Sequence, residues 1–196
     1  MKDINRLVQI KSNNLKPKAG RLLISEPFMG DYYFGRSVVL LVEHNEEGSF
    51  GVVLNKIIEA PLNEVLKGLP PFESRIYLGG PVDTSSTFYI HTLGDKIEGS
   101  QEIGHGLFWG GDIELIKELI ILNQLNSENI RFFIGYSGWE AKQLDGELES
   151  NSWIVSSHID KSILTLPTKE LWKRSLKNMG PVYNYWSKFP VDPGMN

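Results

Sequence analysis

Arg131-Phe-Phe-Ile-Gly-Tyr-Ser137-Gly-Trp-Glu140-Ala-Lys-Gln-Leu144 is the stretch on which the reading of this chain turns. Residues 131–136 are aromatic and β-branched with no charge inside the run, which suits a strand buried on both faces. Residues 137–140 have the Ser-x-x-Glu spacing of a capping box. In such a box the Ser137 hydroxyl accepts from the Glu140 backbone N–H while the Glu140 carboxylate reaches back to the amide of Ser137. The expectation is a buried strand that turns directly into a capped helix.

Working outward, Asp112 reads as the N-cap of the longest helix, from Ile113 to about Leu125, apolar on much of its circumference and so deeply packed. Residues 152–156 read as another strand. A final helix spans residues 168–179 and is stopped by Gly180-Pro181. The aromatic tail, Tyr183-Asn-Tyr-Trp186 and Phe189-Pro-Val-Asp-Pro193, should dock on the body. Upstream, residues 21–25 form a strand ended by Pro27. An aromatic loop at 28–34 follows, and strands at 36–43 and 50–55 make a hairpin around the turn Asn45-Glu-Glu-Gly48. Pro61 opens a short helix closed by Gly68 and Pro70-Pro71, and short strands follow at 76–78 and 87–92. Residues 94–111 read as one long glycine-rich loop carrying Leu107-Phe108-Trp109, the kind of loop where function often sits.

The chain has 196 residues, 41% hydrophobic and 22% charged, enough for a single core. We read residues 20–196 as one domain behind a basic arm and linker at 1–19, with a short helix at 4–10. Cysteine is absent, which excludes thiolate chemistry and Cys-ligated zinc and fits a reducing compartment. The start lacks the apolar core of a signal peptide and no run is long enough to span a bilayer, so the expectation is a cytoplasmic protein with no membrane partner. Net charge is −4, but residues 1–21 carry +5 and residues 22–196 therefore −9. A basic arm on an acidic body allows for nucleic acid, although a solvated leader is the simpler reading.

Several separated motifs resemble one family. They are Phe34-Gly-Arg36-Ser-Val-Val-Leu-Leu-Val-Glu43-His44, Gly51-Val-Val-Leu-Asn55-Lys56, Tyr77-Leu-Gly79-Gly80-Pro-Val82, and Gly135-Tyr-Ser-Gly-Trp139 with Gln143-Leu144. In this order they are similar to the YqgE/AlgH family of bacterial proteins, from about Arg21 to Trp153. Phe189-Pro190, Asp192-Pro193 and Asn196 resemble the ending of Bacteroidetes-type members. The resemblance implies an α+β fold, a mixed, bifurcated β-sheet folded into a pseudo-barrel with helices packed on it. Some members are labelled transcriptional regulators, and the resemblance implies no enzymatic activity. Members often carry Ala or Ser where this chain has Ser137, which makes Ser137 a poor nucleophile.

The residues themselves agree. Gly135-Tyr-Ser137-Gly-Trp139 approaches the G-x-S-x-G nucleophile elbow but has Trp139 where the elbow needs glycine, and capping explains Ser137 without catalysis. A serine hydrolase is therefore an alternative only. No catalytic set, metal site or cofactor motif is found: His44, His91, His105 and His158 lack the spacing that puts two ligands on one helix face. His44 reads as a hydrogen-bonded strand-end residue, with a ligand role as the sharper alternative. Gly79 and Gly80 could expose amides to an anion, although turn geometry explains them as well. Arg36 and Asn55 could fix a small polar ligand, or cap neighbouring carbonyls, which is the favoured reading. Trp109 marks the glycine-rich loop as a contact surface, alongside the loop at 28–34. Lys169, Lys173, Arg174 and Lys177 give the last helix a basic face for DNA, against the plainer reading of Leu171, Leu176 and Met179 inward with lysines in water. The expected function is non-enzymatic, through an unknown protein or small-molecule partner, with direct DNA binding as the alternative.

Overall fold

The computed structural model describes residue 11 and residues 13–190. The expected helix at 4–10 and residues 191–193 of the tail lie outside them. In chain order the elements are β1 (Leu22–Ser25), β2 (Val38–Asn45), β3 (Gly48–Val53), β4 (Ile57–Ile58), α1 (Leu62–Val65), β5 (Ile76–Leu78), β6 (Val82–His91), β7 (Gln101–Gly104) and β8 (Leu107–Trp109). Then come α2 (Ile113–Ile121), β9 (Ile130–Glu140), α3 (Gln143–Glu149), β10 (Trp153–Ser156), α4 (Thr168–Asn178) and α5 (Pro181–Trp186). Among the described residues the sheet runs β10-β1-β2-β3-β9-β6-β8-β7 without closing, and β5 joins it at β9 and carries β4. This is the mixed, bifurcated sheet that the family resemblance implies, open where a barrel would be shut.

Strand β9 makes the branch. Its first half pairs antiparallel with β6, Ile130 opposite His91 and Ile134 opposite Thr87, and parallel with β5, Phe132 opposite Ile76. Its second half pairs antiparallel with β3, Ser137 opposite Gly51 and Glu140 opposite Gly48. Gly135 sits at the change of partner with φ +64, and a Cβ there would lie 2.7 Å from the Gly80 carbonyl oxygen. Only glycine meets both demands, since L-residues resist this conformation and no space exists for a side chain.

The expected strand-to-helix switch at Ser137 is corrected here. The strand continues to Glu140, and α3 begins only at Gln143 behind Lys142, whose φ is 63. Pairing with β3 supplies the backbone partners that the capping box would have supplied, so tertiary contacts override the local signal. The Ser137 hydroxyl instead donates to the Gly79 carbonyl at 2.9 Å, and Glu140 N–H donates to Gln143 Oε1 at 3.0 Å.

Alternation along the strands sorts the core. Val38, Leu40 and Val42 pack with Trp172, Leu176 and Trp186 of α4 and α5 on one face. Val39, Leu41 and Val53 pack with Trp139, Leu144 and Trp153 under α3 on the other. A third cluster joins α1 and α2 to Phe132, Ile76 and Tyr89. Helices cover both faces, which is why these strands read as unbroken apolar runs. Emptying a site such as Trp153 or Phe132 to Ala would cost about 3–5 kcal/mol.

Four other expectations change. Residues 94–111 are not one loop: a 3-10 turn at Gly94–Lys96 precedes the β7–β8 hairpin, whose turn uses positive φ at Gly104, His105 and Gly106. Helix α2 starts at Asp112, whose side chain accepts from Glu114 N–H, but it ends at Ile121 and buries only Ile116 and Ile120. Ile121 stays 67% exposed, so the helix lies on the surface. Helix α4 is not the last, because α5 follows directly after Gly180. The tail does dock as expected: Trp186 is buried, and Phe28 stacks on Phe189 with centroids 5.2 Å apart. The arm attaches earlier than Gly20, since Asn13 brackets the Val155 main chain and Leu15 packs on the Trp153 cluster.

Candidate functional site

Where β9 changes partner, the strands around it splay and leave a cleft of about 790 Å³. Four half-exposed rings line it. Phe88 of β6 and Trp109 of β8 stack at 5.4 Å and 16°. Phe50 of β3 meets Trp109 edge-on at 5.6 Å and Tyr136 of β9 at 6.0 Å. Tyr136 stands perpendicular to Phe88 at 5.6 Å. Such offset and edge-to-face contacts hold the rings in place without filling the cleft. Around it stand Glu43, Glu47 and Glu140, with Asn45 and Gln143, and no Lys, Arg or His. Phe50 lies opposite Glu43 across β2–β3 and opposite Gly138 across β3–β9, so strand register alone sets acid beside ring.

Of the six candidate binding residues, only Trp109 lines this cleft. His44 lies in an adjoining depression of about 650 Å³, its Nδ1 2.7 Å from Ser49 Oγ, a hydrogen-bonded strand-end residue as favoured. Arg36 caps carbonyls: its guanidinium donates to Phe189 O at 2.7 Å and to Pro190 O, and lies 4.8 Å over the Trp172 ring. Its pKa is lowered by burial. Asn55 accepts from Val38 N–H and donates to Arg36 O, both at 2.9 Å, which locks β2 to the end of β3. The Gly79 N–H is already spent on Ile134 O at 2.8 Å, and both glycines have a structural reason to be there. A Cβ on Gly79 would lie 2.2 Å from Gly135 O and one on Gly80 2.3 Å from Tyr136 O, so close chain crossing requires glycine. The loop at 28–34 shares no cleft with Trp109; Phe34 instead packs on Trp139 and Trp153.

Sequence reading passed over Phe50, Phe88, Tyr136, Glu47 and Glu140. They sit on three separate strands, β3, β6 and β9, and on the β2–β3 turn, and no single stretch shows their convergence until the pairing is known. It also passed over Arg131, which is 3% exposed. Arg131 donates to Leu54 O at 2.9 Å and to Leu164 O, and lies 4.4 Å over the Tyr77 ring. Burial lowers its pKa, and its role is to tie β3, β5 and the 3-10 turn Lys161–Leu164 to the start of β9. Ser137 is fully buried, its hydroxyl committed to Gly79 O, so the hydrolase alternative finds no accessible nucleophile there. On α4, Lys169, Arg174 and Lys177 are exposed while Leu171, Trp172 and Leu176 face the core, an amphipathic arrangement that both readings of this helix share. Among the described residues no group of three His, Cys, Asp or Glu is placed to hold a metal, and no helix is long and apolar enough to cross a membrane.

Residues 22–184 match the model of the DUF179 family, described as AlgH-like. The chain belongs to this AlgH-like family. A UPF0301 protein of Bacteroides thetaiotaomicron is 44% identical over 191 residues, 97% of each chain, and one of Parabacteroides distasonis is 41% identical over the full length of both. The solution structure of the AlgH protein from Pseudomonas aeruginosa aligns with a TM-score of 0.70 at 31% identity, covering 86% of this chain and 93% of that one. The crystal structure of protein DIP2367 from Corynebacterium diphtheriae has a TM-score of 0.73 at 24% identity over 90% of this chain and 95% of that one, a likeness of fold alone. Residues 79–82 and 135–139, two of the stretches that carry the resemblance, meet at the β9 branch, with Val82 opposite Tyr136.

Proposed function

We propose that this AlgH-like chain works inside the bacterial cell by binding rather than by catalysis, taking a protein or small-molecule partner in the cleft, with any effect on transcription exerted through that partner. The carrying observation is the set of four half-exposed rings, Phe50, Phe88, Trp109 and Tyr136, around one open cleft. Aromatic surface left in water is costly on a monomer and is the usual anchor of an interface or ligand site. The burial of the Ser137 hydroxyl supports the same reading, and the lack of cysteine fits a reducing interior.

The test is site-specific cross-linking in cells. A photo-reactive amino acid in place of Val82, which is 37% exposed at the cleft, should yield a discrete adduct. Trp109→Ala should remove that adduct while leaving the chain folded. Identical adduct patterns with and without Trp109 would count against the proposal.

A further inference from the structure

We infer that the occupant of the cleft is a basic peptide segment of a partner protein, with an arginine side chain laid across the rings. This rests on the binding reading above and adds the chemistry of what is bound. The walls decide the sign of the charge. Ring faces carry a negative potential, and Glu43, Glu47 and Glu140 reinforce it with no cation among the lining residues. An anion would be repelled by the three carboxylates and the ring faces, and a neutral ligand would leave their negative charge uncompensated, Glu43 being bonded only to the neutral amide of Asn45.

Shape decides between cations. A planar guanidinium can stack on a ring and fork to a carboxylate at once, whereas an ammonium acts as a point charge. The molecule uses that stacking internally, with Arg36 over Trp172 and Arg131 over Tyr77. Extent decides between a peptide and a small molecule. The cleft shares Asn45, Gly48, Ser49 and Glu140 with the adjoining depression, where Glu46 and Asp145 outnumber Lys142. The two adjoin, at about 790 and 650 Å³, and through their shared lining make one acidic track around the β2–β3 turn, a shape suited to an extended segment.

The experiment titrates the ¹⁵N-labelled chain with acetyl-triarginine amide at about 0.15 M salt, following the indole N–H signals of Trp109 and Trp139. Saturable shifts at Trp109 are expected, with the uncharged tricitrulline peptide at least about tenfold weaker. Glu47→Gln with Glu140→Gln should weaken triarginine binding at least about tenfold, and Glu64→Gln with Glu118→Gln, exposed and elsewhere, less than about twofold. Equal binding of both peptides overturns the arginine inference but leaves the cleft a binding site. Triarginine that leaves Trp109 unmoved, or that responds equally to both variant pairs, overturns it as nonspecific attraction to an acidic body. In that event the cross-linking at residue 82 still decides the broader reading independently.

Discussion

His91 shows how one buried polar side chain can make this fold sensitive to pH. It is fully buried; its Nδ1 accepts from Leu93 N–H at 3.2 Å, and Nε2, which then carries the proton, donates to Gly110 O at 3.0 Å. Protonating Nδ1 would destroy the first bond and place a charge beside Tyr89 and Phe108. Burial accordingly lowers the pKa below its ordinary 6.5, against a smaller opposing effect of the Gly110 bond. The unfolded chain therefore binds more protons than the folded one as pH falls below about 6.5, and stability drops by up to about 1.4 kcal/mol per pH unit until the depressed folded pKa is passed. Urea midpoints measured from pH 7 to 5 should show this decline, and His91→Gln should flatten it; equal slopes for both proteins would refute the assignment. None of this was legible beforehand, because His91 reads in sequence as one of four scattered histidines. Arg36 and Asn55 were more legible, since short polar side chains and arginines at strand ends bond backbone far more often than ligand.

At the scale of elements, apolar runs betrayed the strands at once, whereas their partners stayed hidden. Ser137-x-x-Glu140 is a good helix start by local rules, and it lost because β3 offered four residues of ladder to the same backbone. Residues 101–109 were missed for the opposite reason. Each strand of that hairpin is too short to show alternation, and its glycines read as loop. The branch in β9 gives a sharp prediction with an internal control. Gly135→Ala must hold a methyl group at φ +64 against a carbonyl oxygen 2.7 Å away, and should cost more than about 2 kcal/mol. Gly146, in α3, has open space around its Cβ position and no positive φ, so Gly146→Ala should stabilise by about 0.5–1 kcal/mol. Opposite shifts in the urea midpoint with an unchanged slope are the expected result. A neutral Gly135→Ala would mean that the strand need not change partners there.

The charge of the whole molecule bears on what it can approach. Residues 22–196 carry −9 and the cleft is acidic, while Lys169, Arg174 and Lys177 offer only a small basic face on a helix whose other side is committed to the core. Helix α5 follows α4 after two residues, Met179 and Gly180, as in a helix pair that reads DNA, but it contains no basic residue and buries Trp186. Duplex DNA should therefore meet the basic arm and little else. Each phosphate contact contributes a slope of about −0.9 in log affinity against log salt, so contacts by the three exposed α4 cations would give about −2.7 from the body alone. In an anisotropy titration with a labelled duplex, we expect any low-salt binding to vanish in the Lys11→Gln, Lys16→Gln, Lys18→Gln variant. Binding that survives in that variant with a steep salt slope, and is lost with Lys169→Gln and Arg174→Gln, would instead make α4 a DNA-binding element.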